Sequence, residues 1–186
     1  MANIAFTTYF IDGPADEFND FYNNVRSAMM QLNCPSTGVN LIGVMELIGL
    51  DTDDVDARSN FIFVGAERGD NINFRTETPY FRDEAFEENL LKKYPHLNIY
   101  FEEDAMEDGV FRTNDKAEKY FSGVNYALEV EDEGTEYFDT SDELISYFKD
   151  RFEVDEVYDI TDIKEYISHL NDVDKLRVAL IVKQYV

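Results

Sequence analysis

Carboxylates are the side chains through which this chain could do chemistry, and their spacing is the first clue to its kind. Forty Asp and Glu stand against sixteen Lys and Arg in 186 residues, a formal net charge of −24. From Glu129 to Glu143 eight acids occur with no base: Glu129, Glu131, Asp132, Glu133, Glu136, Asp139, Asp142 and Glu143. Asp150, Glu153, Glu156, Asp159, Asp162 and Glu165 then recur at every third position. On a helix that spacing sets neighbours about 5–6 Å apart on one face, where they repel by a few tenths of a kcal/mol per pair. Rows of carboxylates imitate the phosphates of a nucleic acid, and could occupy the Lys and Arg groove of a protein that binds one. The same charge excludes nucleic acid, anionic lipid and phosphorylated substrates as direct partners.

Other chemistries find less support. His96 and His169 lie far apart, with Cys34 as the one soft co-ligand; a zinc site needs three or four ligands with local pairing. Asp51, Asp53, Asp54 and Asp56 begin like a calcium loop. Its fifth, sixth and twelfth positions hold Val55, Asp56 and Ile62, where an oxygen ligand, glycine and glutamate are required. A weaker divalent-cation site in that loop, or around Glu102-Glu103-Asp104 with Glu107-Asp108, is one alternative. No Gly-x-Ser-x-Gly elbow or phosphate-cradling glycine loop occurs, and Cys34 beside Pro35 carries no mark of activation. Among forty carboxylates some pair always suits acid–base work, so such a pair carries no information. The expectation is a protein that is not an enzyme and uses no cofactor or metal.

The elements must hold this charge outside a core. Fifteen Phe and twelve Tyr supply that core and set the chain apart from disordered acidic segments. A lone cysteine demands no oxidising compartment, no secretory signal is visible at the start, and no run is long enough for a membrane span. A cytoplasmic, soluble protein with no membrane partner is expected.

Alternation predicts strands over Ile4–Ile11, Asn60–Ala66, Ile72–Thr76, Leu97–Phe101, Val110–Thr113, Asn125–Val130, Glu136–Phe138 and Leu176–Val182. Arg68-Gly69-Asp70-Asn71 supplies a hairpin turn between the second and third of these. Pro14 fits the first position of a helix whose inner face is Phe18, Phe21, Tyr22, Val25, Met29 and Leu32. Val39–Leu50 is compatible with helix or strand, and Asp51–Ser59 reads as a loop. Thr78 as cap and Pro79 just inside predict a second helix through Tyr94, with Phe81, Ala85, Phe86, Leu90 and Tyr94 inward. Thr140-Ser141-Asp142-Glu143 has capping-box spacing before Leu144, Ile145, Phe148 and Phe152, and a further helix is predicted over Thr161–Leu170.

The run Tyr94-Pro95-His96-Leu97-Asn98-Ile99-Tyr100-Phe101-Glu102-Glu103, followed by Gly109 and Asn114-Asp115, resembles the ferredoxin-like domain of plasmid- and phage-encoded proteins of the YubB type. The resemblance spans residues 61–115; tryptophans usual in that family before the second helix are absent from Asn73–Tyr80. It implies a fold and a mobile-element setting, with no mechanism and no site residues to transfer.

Together these readings predict an α+β protein: a ferredoxin-like split βαβ core (βαββαβ) over residues 1–104, and an acidic β/α extension over 105–186 packed on or continuing the same sheet. The expected function is that of an acidic nucleic-acid mimic from a phage or mobile element. Its partner would be a basic, nucleic-acid-binding host defence protein of restriction or CRISPR type, contacted through the fourteen acids named above. The competing expectation is a ferredoxin-like regulatory or ligand-binding module whose acidity serves solubility alone.

Overall fold

Alternation along the first strand, β1 (Ile4–Asp12), decides which side of the main sheet is inside. Ala5, Thr7, Tyr9 and Ile11 are buried on one face, while Phe6, Thr8 and Phe10 point to the other. The computed structural model describes residues 3–33, 38–67, 71–131, 133–174 and 177–186. After β1 come α1 (Ala15–Gln31), β2 (Val39–Asn40), α2 (Leu41–Ile48), β3 (Asn60–Glu67), β4 (Asn71–Pro79), α3 (Glu84–Lys93), β5 (Asn98–Ala105) and β6 (Val110–Thr113). The chain continues through β7 (Tyr126–Val130), β8 (Gly134–Phe138), α4 (Ser141–Phe152), α5 (Ile160–His169), β9 (Val178–Val182) and β10 (Gln184–Tyr185).

The result is a mixed α+β fold with a large, mostly antiparallel sheet and five α-helices among the described residues. Among the described residues seven strands lie in the order β10-β6-β5-β1-β4-β3-β2, with the β10–β6 pairing parallel and the others antiparallel. Three more form a second sheet, β8-β7-β9. Tyr9, Ile11, Phe61, Ile72, Phe74 and Phe101 join Phe18, Phe21, Leu41, Met45, Phe86 and Leu90 of the first three helices in one core. A second core unites Leu128, Val130, Phe138 and Val178 with Leu144, Phe148, Ile163 and Ile167 of α4 and α5. Phe111, Ala127 and Ile181 pack between the two sheets.

Several expectations change. Val39–Leu50 resolves into a two-residue strand and a helix, because Asn40 caps it through Gly43 N–H and Gly49 (φ +70°) closes it in the left-handed conformation glycine favours. Pro14 is the N-cap of α1, one position earlier than expected. Thr78 does not open a helix. It pairs with Ala5, and Pro79 with Ile4, as the end of β4; Asp83 caps α3 instead by accepting from Phe86 N–H. Phe81 consequently lies outside the helix and half-exposed. Leu97–Phe101 extends four residues further, so Glu102, Glu103 and Asp104 belong to β5 and pair with β1. β10, two residues paired with β6, was not predicted, because so short a strand carries no alternation. Cys34, the turn residues Arg68 to Asp70, Asp132 and Leu176 lie outside the described residues.

Candidate functional site

The acids expected to form one contact surface divide between two sides of the second sheet. On β7, Tyr126, Leu128 and Val130 face α4 and α5, so Glu129 points the opposite way. Glu129 and Glu131 line a groove of about 650 Å³ between the two sheets, and Glu131 approaches Arg177 at 3.9 Å. They are not part of the helical surface. Glu136 sits opposite Leu128, on the helix side, and is exposed; Asp139, Asp142 and Glu143 follow it into α4.

The threefold row does not run along one helix. Asp150 is in the last turn of α4, Glu153 is its C-cap with φ +54°, Glu156 is in the connection, and Asp159 is the N-cap of α5. The connection breaks the register, so only Asp162 and Glu165 share a helix face beyond it.

Five of the fourteen are spent on local structure. Glu143 accepts from the backbone N–H of Thr140 at 3.3 Å and of Asp139 at 3.2 Å, while Thr140 Oγ1 accepts from Glu143 N–H at 3.3 Å. Asp159 accepts from Thr161 and Asp162 N–H at 2.7 and 3.0 Å, and those bonds hold its carboxyl below the usual range. Asp162 accepts from Tyr158 N–H at 2.7 Å. Glu133 is paired with Arg151, and Glu131 with Arg177. Asp142, Asp150, Glu153, Glu156 and Glu165 are exposed and make no ion pair among the described residues. Of the aromatics beside the acids, Phe138 is core and Tyr137 donates to Asp104 at 2.5 Å, whereas Tyr158 is 74% exposed.

Sequence reasoning missed the most unusual carboxylate. Glu103 is completely buried on the inner face of the main sheet. It accepts from Arg112 Nε at 2.6 Å and from the Arg82 backbone N–H at 2.9 Å, and the Arg82 side chain approaches at 3.6 Å. Arg82 also donates to Glu87 at 2.7 Å and to Glu84 at 2.9 Å, and its guanidinium lies 4.2 Å from the centre of the Phe101 ring. Tyr9 OH donates to Glu87 at 3.0 Å. Burial raises the pKa of Glu87 against the pull of Arg82, and burial beside Glu87 pushes the Tyr9 hydroxyl well up. Strand parity is the signal that could have found it: residues 99, 101, 103 and 105 share a face, and Phe101 lies in the core.

Asp12 and Asp115 fasten the 114–121 segment across the outer face of the main sheet. Burial alone would raise the Asp12 pKa, but hydrogen bonds from Lys119, Tyr120 and Asn98 hold it below the usual range. Asp115 likewise overcomes its burial by accepting from the backbone N–H groups of Tyr120, Lys119 and Phe121. Tyr120 stacks on Phe10 with centroids 4.6 Å apart.

Among the described residues no three His, Cys, Asp or Glu side chains converge to hold a metal ion, and no helix is long and apolar enough to cross a membrane. In the Asp51–Asp56 loop, Asp51 accepts from Asp53 N–H and Asp56 is paired with Arg58 at 2.8 Å. No protein-family model, curated protein or solved structure matches the chain.

Proposed function

We propose that this protein is a non-enzymatic, acidic binding protein whose α4–α5 layer occupies the nucleic-acid groove of a basic partner. The observation that supports this reading is a local charge imbalance carried on rigid elements. Residues 141–169 hold nine carboxylates and three bases. Two of those bases are already engaged: Lys149 lies 5.0 Å from the Tyr158 ring centre, and Arg151 is paired with Glu133. Both helices are capped at their N-termini, so the backbone positions from which Asp142, Asp150 and Glu165 project are held. A protein evolved to neutralise several phosphates would bind such an array with a steep salt dependence. Tyr158 offers an exposed ring where a base would stack.

The strand order β5-β1-β4-β3, with α1 and α3 as crossovers on one face, supports a ferredoxin-like split βαβ core as the scaffold. With the resemblance of residues 61–115 to YubB-type domains, it directs the reading to a mobile-element product. Its partner would be a host nucleic-acid-binding defence protein of restriction or CRISPR type, met in the cytoplasm.

Affinity capture from host lysate tests this, using the native chain and a variant carrying Asp142→Asn, Asp150→Asn, Glu153→Gln, Glu156→Gln and Glu165→Gln. Glu143, Asp159 and Asp162, whose carboxylates accept at the helix N-termini, are left intact so that folding is preserved. The native chain is expected to retain a nucleic-acid-binding protein at low salt and release it to duplex DNA or guide RNA, and the variant to lose it. Capture of no such protein, indifference to competitor, or equal retention by the variant overturns the reading.

A further inference from the structure

The arginines around Glu103 open onto a groove. It holds about 590 Å³, within the roughly 300–1,000 Å³ typical of small-molecule sites. Tyr80 and Phe81, both about half-exposed, form an apolar wall, and Arg82 and Arg112 supply the opposing polar groups. Asp54, Asp56, Asp83 and Glu84 also line it. Arg112 uses Nε on Glu103, and its two terminal nitrogens make no hydrogen bond or ion pair among the described residues. Arg82 Nε is buried and without a hydrogen-bond partner.

Two features make this more than a structural ion cluster. A fully buried carboxylate between two guanidinium groups is weak evidence of stabilisation, because desolvation offsets the attraction. What Glu103 does achieve is orientation. It pins Arg112, which lies on a strand paired on both sides, and it holds the Arg82 backbone at the groove wall. A guanidinium presents a planar fork matched to a carboxylate, and fixing its Nε edge leaves the terminal nitrogens preorganised. The rest of the molecule limits what can approach. A net charge of −24 repels polyanions, and the lining carboxylates repel any second negative charge on a ligand. Of the four lining carboxylates, Glu84 is engaged by Arg82, Asp56 by Arg58 and Asp83 by the Asp56 and Phe86 N–H groups, so a single negative charge on Arg112 meets Asp54 as the one carboxylate with no hydrogen bond or ion pair among the described residues.

From this geometry we infer that the groove binds a monocarboxylate carrying a flat apolar body: the carboxylate on Arg112, the body against Tyr80 and Phe81. The site is independent of the α4–α5 surface.

Titration of the full-length ¹⁵N-labelled protein with phenylacetate tests the inference, with phenylacetamide and inorganic phosphate as controls. Saturable shift changes are expected at Tyr80–Ala85 and Arg112, with neither control producing them. Arg112→Gln is expected to weaken binding about tenfold or more, the loss of a charge-assisted hydrogen bond. Phe81→Ala, at an exposed position outside the core, should also weaken it while leaving the fold intact. A peptide ending in phenylalanine with a free carboxylate identifies the source: tighter binding than phenylacetate assigns the site to chain termini, weaker binding to free small acids. Absence of saturable shifts at millimolar phenylacetate, shifts elsewhere, or equal binding of phenylacetamide or phosphate would overturn the assignment.

Discussion

Glu103, Glu143 and Glu153 are the same side chain in three different physical situations. Glu103 is desolvated and balanced by two arginines; Glu143 closes a helix end; Glu153 stands exposed with no ion pair among the described residues. Charge counting treats them alike, although removing Glu103 would leave two guanidinium groups without their common anion. His96, which finds no zinc co-ligand nearby in sequence, shows the same point. Its Nδ1 lies 2.5 Å from Glu17 Oε1, and its backbone N–H donates to Glu17 Oε2 at 3.0 Å. These bonds raise the His96 pKa and lower that of Glu17. A raised histidine pKa contributes stability fully present below its unfolded value of about 6.5 and lost as pH rises through the folded value. The Glu17 contribution runs the other way: it is present above the unfolded carboxylate value and lost as pH falls through the lowered one. An NMR titration should therefore find His96 above about 6.5, and Glu17→Gln should return it to the ordinary value. A native titration at or below that value would contradict the pairing.

At the scale of elements, local signals succeeded where one competing interaction dominated. The capping box at Thr140–Glu143 forms as spelled, because its donors and acceptors are neighbours in sequence. Asp159 with Asp162 builds a second box from a pattern that had looked only like a charge row. Thr140→Ala should destabilise the protein by about 1 kcal/mol in urea unfolding, and Asp159→Ala should lower stability in the same direction. A change within a few tenths would mean that tertiary packing alone holds these helices. Local signals failed at Thr78-Pro79. The pair has good cap chemistry, yet β1 offers a paired edge that extends β4 through both residues before Tyr80 turns away at φ +70°. Glu102 to Asp104 follow the same logic. Acids are poor strand formers, but pairing with β1 on one side and β6 on the other overrides propensity.

At the scale of the whole molecule, forty acids against sixteen bases make self-repulsion the dominant long-range term. Raising salt from about 0.01 M to about 0.15 M shortens the Debye length from roughly 30 Å to roughly 8 Å. The ion pairs weaken under the same screening, but they are outnumbered, and the buried arginines about Glu103 are screened least. The melting temperature should consequently rise by several degrees across that range, since ~1 kcal/mol shifts a domain of this size by about 2–4 °C. A flat or falling melting temperature would show that the excess charge is already compensated within the fold.

The sequence by itself determined the acidic character, the alternating strands, the apolar helix faces of α1 and α4, and one helix cap. Each of these depends on composition or on residues a few positions apart. Only the tertiary structure decided that Glu103 is buried, that Arg82 and Arg112 meet over it, and that Glu129 and Glu131 face away from the α4–α5 surface. Those outcomes depend on strand register, which places residues 9, 21 and more positions apart in contact and assigns every side chain to one face or the other. Whether a carboxylate becomes a buried anchor, a helix cap or an exposed charge is settled by that assignment.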